Sequence, residues 1–173
     1  TYPDWECLVY DRFSPHQDII SQRLRILSSL PVLDRGIVIL SISNLLQRTP
    51  PKSYLAAHSF LLATGDKLDT DSFKLQLETA AYRHVSQVFE HGEYAVRGGI
   101  IDLYPMGSTQ PYRIDLFGDE VESIRLFDPD TQRSADPVES IELLPAREFP
   151  MTEQGIERFR QSYREKFAGD PRQ

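Results

Sequence analysis

Apolar positions set the first divisions of this chain. In the stretch that opens FSPHQDIISQRLRIL, Ile19, Ile20, Leu24, Leu27 and Leu30 recur at the spacing of one helix face. This predicts an amphipathic helix over residues 15–30. Ser14 as cap, Pro15 at the first helical position and Asp18 in the first turn are its start signals. RGIVILSI, residues 35–42, is instead an unbroken apolar run of strand length. Such a run suits a strand buried on both faces of a parallel sheet. SNLLQR reads as a short helix ended by Pro50 and Pro51. Helix, buried strand, helix is the pattern of an α/β layer.

After the double proline the pattern changes. HSFLLATG reads as a strand running into a turn, and TDSFKLQLETA as a helix capped at Thr70 or Asp71. Strand patterns then follow at 93–97, 100–104, 111–117, 120–127 and 138–143. The linkers GG, PMGST, GD and DPDTQ have turn compositions. Connections this short imply an antiparallel meander. From about Thr152, TEQGIERFRQSYREKF returns to a helical pattern. The chain therefore reads as α/β pieces at both ends with an α+β module, about 53–144, between them.

Strand parity assigns faces. Tyr112, Ile114 and Leu116 share one face of PYRIDLF; Arg113, Asp115 and Phe117 share the other. Tyr94 and Val96 oppose Glu93, Ala95 and Arg97, and Ile101 and Leu103 alternate with Asp102 and Tyr104. One face is expected to be apolar and covered by the 70–80 helix. The other carries Arg97, Arg113, Asp115 and Phe117 and is expected to be open. EVESIRLF does not alternate cleanly, which predicts a bulge. A polar sheet face is ordinarily just solvated. An exposed phenylalanine beside arginines has instead the composition of an interface hot spot. The GG pair next to Arg97 is then a turn that also presents an arginine.

Composition narrows the classes. With 173 residues and 40% hydrophobic content the chain needs no staple to fold. The net charge of −7 argues against non-specific nucleic-acid binding, which rests on Lys and Arg neutralising phosphates. The single cysteine, Cys7, makes no internal disulfide and fits a reducing compartment. It reads as a tolerated thiol, because no partner for a nucleophile is visible. No GxxxxGK[ST] loop is present, and Gly65-Asp66-Lys67 reads as a turn. His84 and His91 lack the spacing of a metal site, EHGE at 90–93 is not HExxH, and His16 and His58 have no evident partners. Asp115, Asp119, Glu120 and Glu122 read as a solvated strand edge. GxSxG is absent. The expectation is no catalytic, metal or cofactor residue, and a chain that is not an enzyme.

The string VRGGIIDLYPMGSTQPYRIDLFGDEVESIRLFDPDTQRS resembles the N-terminal part of the bacterial transcription-repair coupling factors (Mfd). That part is the module this family shares with the excision-repair helicase UvrB. The pattern is RG-x3-DL[FY]P, then a PYR-[IL]-D strand, then D-x-[DE]-x3-[IL]-R-x-F-D. The flanking WECLVYDRFSPHQDIISQRL and ELLPAREFP fit the coupling factors better than UvrB, and the likeness covers essentially the whole chain.

The resemblance implies a fold of class α/β (α+β): an incomplete, helicase-like α/β domain interrupted by a small α+β module with an antiparallel sheet. Residues 1–52 would be the first segment of the α/β domain, 53–144 the inserted UvrA-binding module, and 145–173 the start of the returning segment. The family's UvrA contacts fall here on Arg97, Arg113 and Phe117. Gly99 and Gly118 depart from the pattern, and are expected to alter turn geometry around the patch without removing it. The chain is then a bacterial, cytoplasmic fragment carrying one step, UvrA recruitment in nucleotide-excision repair. The parent's contacts with RNA polymerase and double-stranded DNA, its ATP- and Mg-dependent motor, and a C-terminal domain that masks the UvrA surface would lie in other domains. The alternatives are a DNA-binding module or a UvrB-like helicase fragment. With first strands expected before Thr1, apolar surface such as IVILSI is expected to be exposed or to swap between copies.

Overall fold

The computed structural model describes residues 1–7 and 12–167. Part of the WECLVYDRF string and the end of the expected returning segment, residues 8–11 and 168–173, lie outside the described residues. Helix α1, Gln17–Ser29, follows the expected periodicity but starts later than Pro15. Its cap is His16 rather than Ser14: His16 is extended, and its Nδ1 accepts from the Asp18 N–H at 3.3 Å. A ring nitrogen thus fills the capping role that the serine was expected to fill.

Residues 35–40 are not a strand. A strand needs neighbours to satisfy its backbone. Among the described residues this segment receives one such bond, from the Tyr2 N–H to the Ile39 carbonyl at 2.7 Å. Its side chains face solvent accordingly, with Ile37 at 90% exposure. The expected buried parallel strand is therefore corrected, whereas the expected exposure of IVILSI is found. Helix α2, Ile42–Leu46, follows, capped by Ser41. Helix α3, Lys52–His58, starts directly after Pro51, so the double proline separates two helices. The hydrophobic pattern alone predicts no element over 52–57.

Strand β1, Phe60–Ala63, pairs antiparallel with β8, Ser140–Leu143, at the far end of the module. Helix α4, Thr70–Thr79, is capped by Asp69, not Thr70 or Asp71; its Oδ1 accepts from the Ser72 N–H at 2.8 Å. The main sheet contains β2 (Arg83–His84), β3 (Glu93–Arg97), β4 (Ile100–Leu103), β5 (Tyr112–Phe117), β6 (Glu120–Phe127) and β7 (Ser134–Val138), in that spatial order. Strands β3 to β7 form the expected antiparallel meander; β2 joins β3 in parallel. The pattern at 138–143 resolves into the end of β7 and all of β8. Pro137 has no N–H to donate, so β7 is an edge where the chain leaves one sheet for the other. The predicted bulge lies where the register shifts at Asp115/Leu116, opposite Ser123 and Val121.

The core lies between α4 and one sheet face. Phe73 and Leu77 of α4 belong to the same buried cluster as Tyr94, Ile101, Leu103, Ile114 and Ile124. Leu24 of α1, Leu62 of β1 and Leu143 of β8 extend it. The opposite face has a second, smaller cluster, in which Val88 packs with Ala95 and Phe127. The molecule is thus mixed α+β. Its N-terminal part is tied down by Arg23, which is 1% exposed and bonded to Glu148, Asn44 and the Pro3 carbonyl. Helix α5, Glu153–Phe167, has no fully buried residue.

Candidate partner-binding site

Two tight turns place the site at one end of the sheet. Between β3 and β4 the turn is Gly98-Gly99, with Gly98 at φ +61°. Between β5 and β6 it is Gly118-Asp119, with Gly118 at φ +67°. A positive φ at the first of two turn residues is the geometry that fits the twist of an antiparallel hairpin, and glycine takes it without strain. The two turns lie against each other. The Leu116 N–H donates to the Gly99 carbonyl at 2.7 Å, and a Cβ on Gly99 would sit 3.0 Å from the Leu116 carbonyl oxygen. A side chain at position 99 would be a tight fit, requiring the β5 backbone at Leu116 to give slightly.

Directly opposed residues of antiparallel strands share a face. Ala95, Asp102, Arg113 and Arg125 form one row across four strands; Arg97, Ile100, Asp115 and Ser123 form the next row toward the turns. Phe117 stands two residues beyond Asp115, opposite Glu120. All three residues singled out in the sequence, Arg97, Arg113 and Phe117, therefore lie on one face. Their exposures differ: the Arg97 side chain is 48% and Arg113's 15% exposed, and Phe117 is 79% exposed. None is in the core. The expectation of an open face needs one correction, because loop residue Val88 covers the part near Ala95 and Phe127. The hairpin end, with Arg97, Ile100 and Phe117, stays open.

One carboxylate organises this end. Asp102 is 1% exposed and receives both arginines. Arg113 Nε donates to Oδ1 at 2.7 Å and its Nη2 to Oδ2 at 3.0 Å, a two-pronged fork. Arg97 Nη2 donates to the same Oδ2. Arg113 is held further by Nη1 bonds to the Gln132 carbonyl at 3.2 Å and Ser134 Oγ at 3.3 Å, with Phe127's ring centre 5.1 Å from its Cζ. The hydrogen bonds to Asp102 raise the Arg113 guanidinium above its ordinary value, against a smaller opposing effect of burial. Beside this group Ile100 adds apolar surface, and Asp115 accepts from Ser123 Oγ at 2.8 Å. Arg97 and Arg113 are balanced by Asp102 and by Asp115 in the next row, and the half-exposed Arg97 is the cation of this group that faces outward. The end of the sheet is suited to receive a carboxylate next to an aromatic contact.

Asp102, Ile100, Phe127 and Ser134 were not singled out as site residues in the sequence. Asp102 had a signal: it is the aspartate of RG-x3-D and has the parity of the arginines. The histidines considered for metal do not converge. His84 stacks on Tyr94 with ring centres 5.0 Å apart, whereas His91 lies between Asp18 Oδ1 at 2.7 Å and the Ser108 carbonyl at 2.9 Å. Among the described residues no three metal-ligating side chains cluster.

Residues 60–149, the stretch holding both sheets, match the family described as the UvrB interaction domain. The chain is 52% identical over 164 residues to the transcription-repair-coupling factor of Escherichia coli (strain K12), covering 95% of this chain and 14% of that protein. It is 56% identical over 166 residues to the transcription-repair-coupling factor of Haemophilus influenzae, covering 96% of this chain and 14% of that protein. A more distant relative of the same name, from Staphylococcus haemolyticus, is 35% identical over 156 residues. The chain thus spans about one-seventh of the length of these relatives. The expected likeness to coupling factors is found, and the matched region is an interaction domain by its description. The chain belongs to the UvrB interaction domain family.

Proposed function

We propose that this chain is the UvrA-recruiting module of a bacterial transcription-repair coupling factor. It acts by binding, in nucleotide-excision repair, without chemistry of its own. The observation that carries this reading is the joint presentation of Arg97, Arg113 and Phe117 on the open end of one sheet face. Guanidinium groups bind carboxylates through charge-assisted, directional bonds. A neighbouring phenyl ring supplies the desolvated contact area that makes such a spot a hot spot. Residues 53–144 form the inserted module in this reading. Residues 1–52 and 145–173 are parts of the α/β domain it interrupts. Contacts with RNA polymerase and double-stranded DNA, the ATP-driven motor and a masking C-terminal domain belong to the rest of the parent protein, in the bacterial cytoplasm. No described helix is long and apolar enough to cross a membrane.

Titration of purified UvrA with this chain tests the reading. The wild-type chain is expected to bind. The triple variant Arg97→Ala, Arg113→Ala, Phe117→Ala is expected to lose roughly 100-fold or more in affinity. Because it also strips both cations from buried Asp102, its stability falls as well. Phe117→Ala, which leaves that group intact, is titrated beside it as the variant that keeps its unfolding midpoint. Unchanged affinity in the triple variant rejects the assignment. A titration with duplex DNA gives the contrast: a DNA-binding module would bind with an affinity that falls steeply with salt.

A further inference from the structure

The two arginines of the patch are not equivalent. Arg113 spends its guanidinium inside the molecule: Nε and Nη2 on Asp102, Nη1 on the Gln132 carbonyl and Ser134 Oγ. Of its five N–H groups, one at most remains for a partner. Arg97 donates from Nη2 to Asp102, its one partner among the described residues, and its side chain is about half exposed. Its other N–H groups have no partner among the described residues, and it stands directly opposite Ile100 on the face that also carries Phe117. The carboxylate both arginines share is buried, and it is fixed from the Arg113 side by the fork.

From this geometry we infer that Asp102 is a positioning residue. It aims Arg97 at a carboxylate of the partner, and Arg113 serves mainly as the bracket that holds Asp102. The inference rests on the reading that this face docks UvrA, and it deepens that reading by naming the recognised group, an acidic side chain seated beside an apolar contact. Arg97 binds that group directly. A long arginine side chain free to rotate would lose rotamer entropy on binding; one already tied to a buried carboxylate has lost much of it beforehand. Asp102 therefore favours an acidic partner although it is itself negative.

The sign of the effect of Asp102→Asn separates this from simpler roles. If Asp102 only neutralised charge, its removal would leave the patch more positive, and affinity for an acidic group would rise. If it positions Arg97, affinity falls. The experiment is a double-mutant cycle on this chain, titrated against purified UvrA. Asp102→Asn is expected to lose about 10-fold in the wild-type background and less than about 2-fold in the Arg97→Ala background, while keeping its loss in the Phe117→Ala background. A general loosening of the module would give the same loss in all three backgrounds. That result, or a gain of affinity, overturns the inference.

Should Asp102→Asn not fold, Arg113→Lys replaces it. This variant keeps the charge and loses the fork. It is expected to weaken binding about 5-fold in the wild-type background and to have almost no effect in Arg97→Ala. Losses that simply add would mean that Arg113 touches the partner itself, and would overturn the bracket role. Absence of binding by the wild-type chain would instead reject UvrA as the partner, and the inference would fall with it. Binding by the wild type that Arg97→Ala leaves intact would reject Arg97 as the contact.

Discussion

Arg23 and Arg97 each meet an almost fully buried carboxylate, Glu148 and Asp102, yet they use it in opposite ways. Arg23 engages Glu148 through Nε at 2.6 Å and Nη2 at 3.3 Å. Its Nη1 takes the Pro3 carbonyl and Asn44 Oδ1, each at 2.8 Å. The rings of Tyr2 and Trp5 lie 4.3 and 3.9 Å from its Cζ. One cation meets one anion, nearly every donor is used, and aromatic surface excludes water. At the hairpin end, two cations share one anion, and the second is left half in solvent. The first site is closed, the second open. A closed site connects parts of one chain, here the first residues, α1, α2 and the segment after β8. An open one has bonding capacity left for another molecule. The same side-chain chemistry thus serves cohesion or recognition according to how many of its donors the fold consumes.

The largest effect should come from breaking the closed site. Arg23→Ala leaves Glu148 buried without its cation and removes the packing between Tyr2 and Trp5. Loss of one partner of a buried ion pair costs about 3–5 kcal/mol. Denaturant unfolding should show the loss, probed by the fluorescence of Trp5, the one tryptophan. A loss below about 1 kcal/mol would mean that the site does not tie the N-terminal segment to the module. At the open site the effect should be reversed in kind. Phe117→Ala is expected to cost about 2 kcal/mol in UvrA affinity, measured by calorimetric titration. Its stability should stay within about 0.5 kcal/mol of wild type, since an exposed ring gives up little burial. If stability falls and affinity holds, the contrast between the two sites is wrong.

How far each site was legible in the sequence follows from how local its cause is. The open face was readable, because alternation along β3, β4 and β5 assigns sides without knowledge of the partner strands. The resemblance then singled out the same three residues. Asp102 was placed on the right face but not recognised as the anchor, since the two arginines that bond it, and Gln132 and Ser134 that hold Arg113, come together only in the fold. The closed site went unread, although Arg23 sits on the stripe of Ile20, Leu24 and Leu27, where a cation on an apolar helix face asks for a buried anion. That anion is 125 positions away. The pairing of β1 with β8 has the same non-local character. The run at 35–42 misled for another reason: apolar strand patterns presuppose neighbouring strands, and among the described residues those neighbours do not pair with it. Helix caps erred by one or two residues because several candidates stand side by side and only geometry chooses between them.

The smallest effect sharpens the contrast through pH. Tyr2 is packed against Arg23, and its hydroxyl has no hydrogen-bond partner among the described residues. Burial pushes that hydroxyl up to about 12, with the Glu148 carboxylate adding to the rise and Arg23 opposing it. A tyrosine raised on folding favours the folded state while the unfolded side chain remains neutral. Its contribution is therefore complete below pH about 10 and is lost as pH climbs from there toward about 12. Tyr2→Phe removes the titration, and it also removes a buried polar atom that has no partner. At neutral pH its stability should match wild type within about 0.5 kcal/mol or slightly exceed it. Tyr94 is also raised, to about 12, and depresses stability in the same alkaline range in both proteins. The informative quantity is accordingly the difference between the two unfolding curves, flat to pH about 10 and widening above it, as wild type loses more. UvrA affinity should not change, because Tyr2 takes no part in the Arg97–Asp102–Arg113 group. Curves that stay parallel through the alkaline range would mean that Tyr2 is solvated, and that the pocket around Arg23 is not closed.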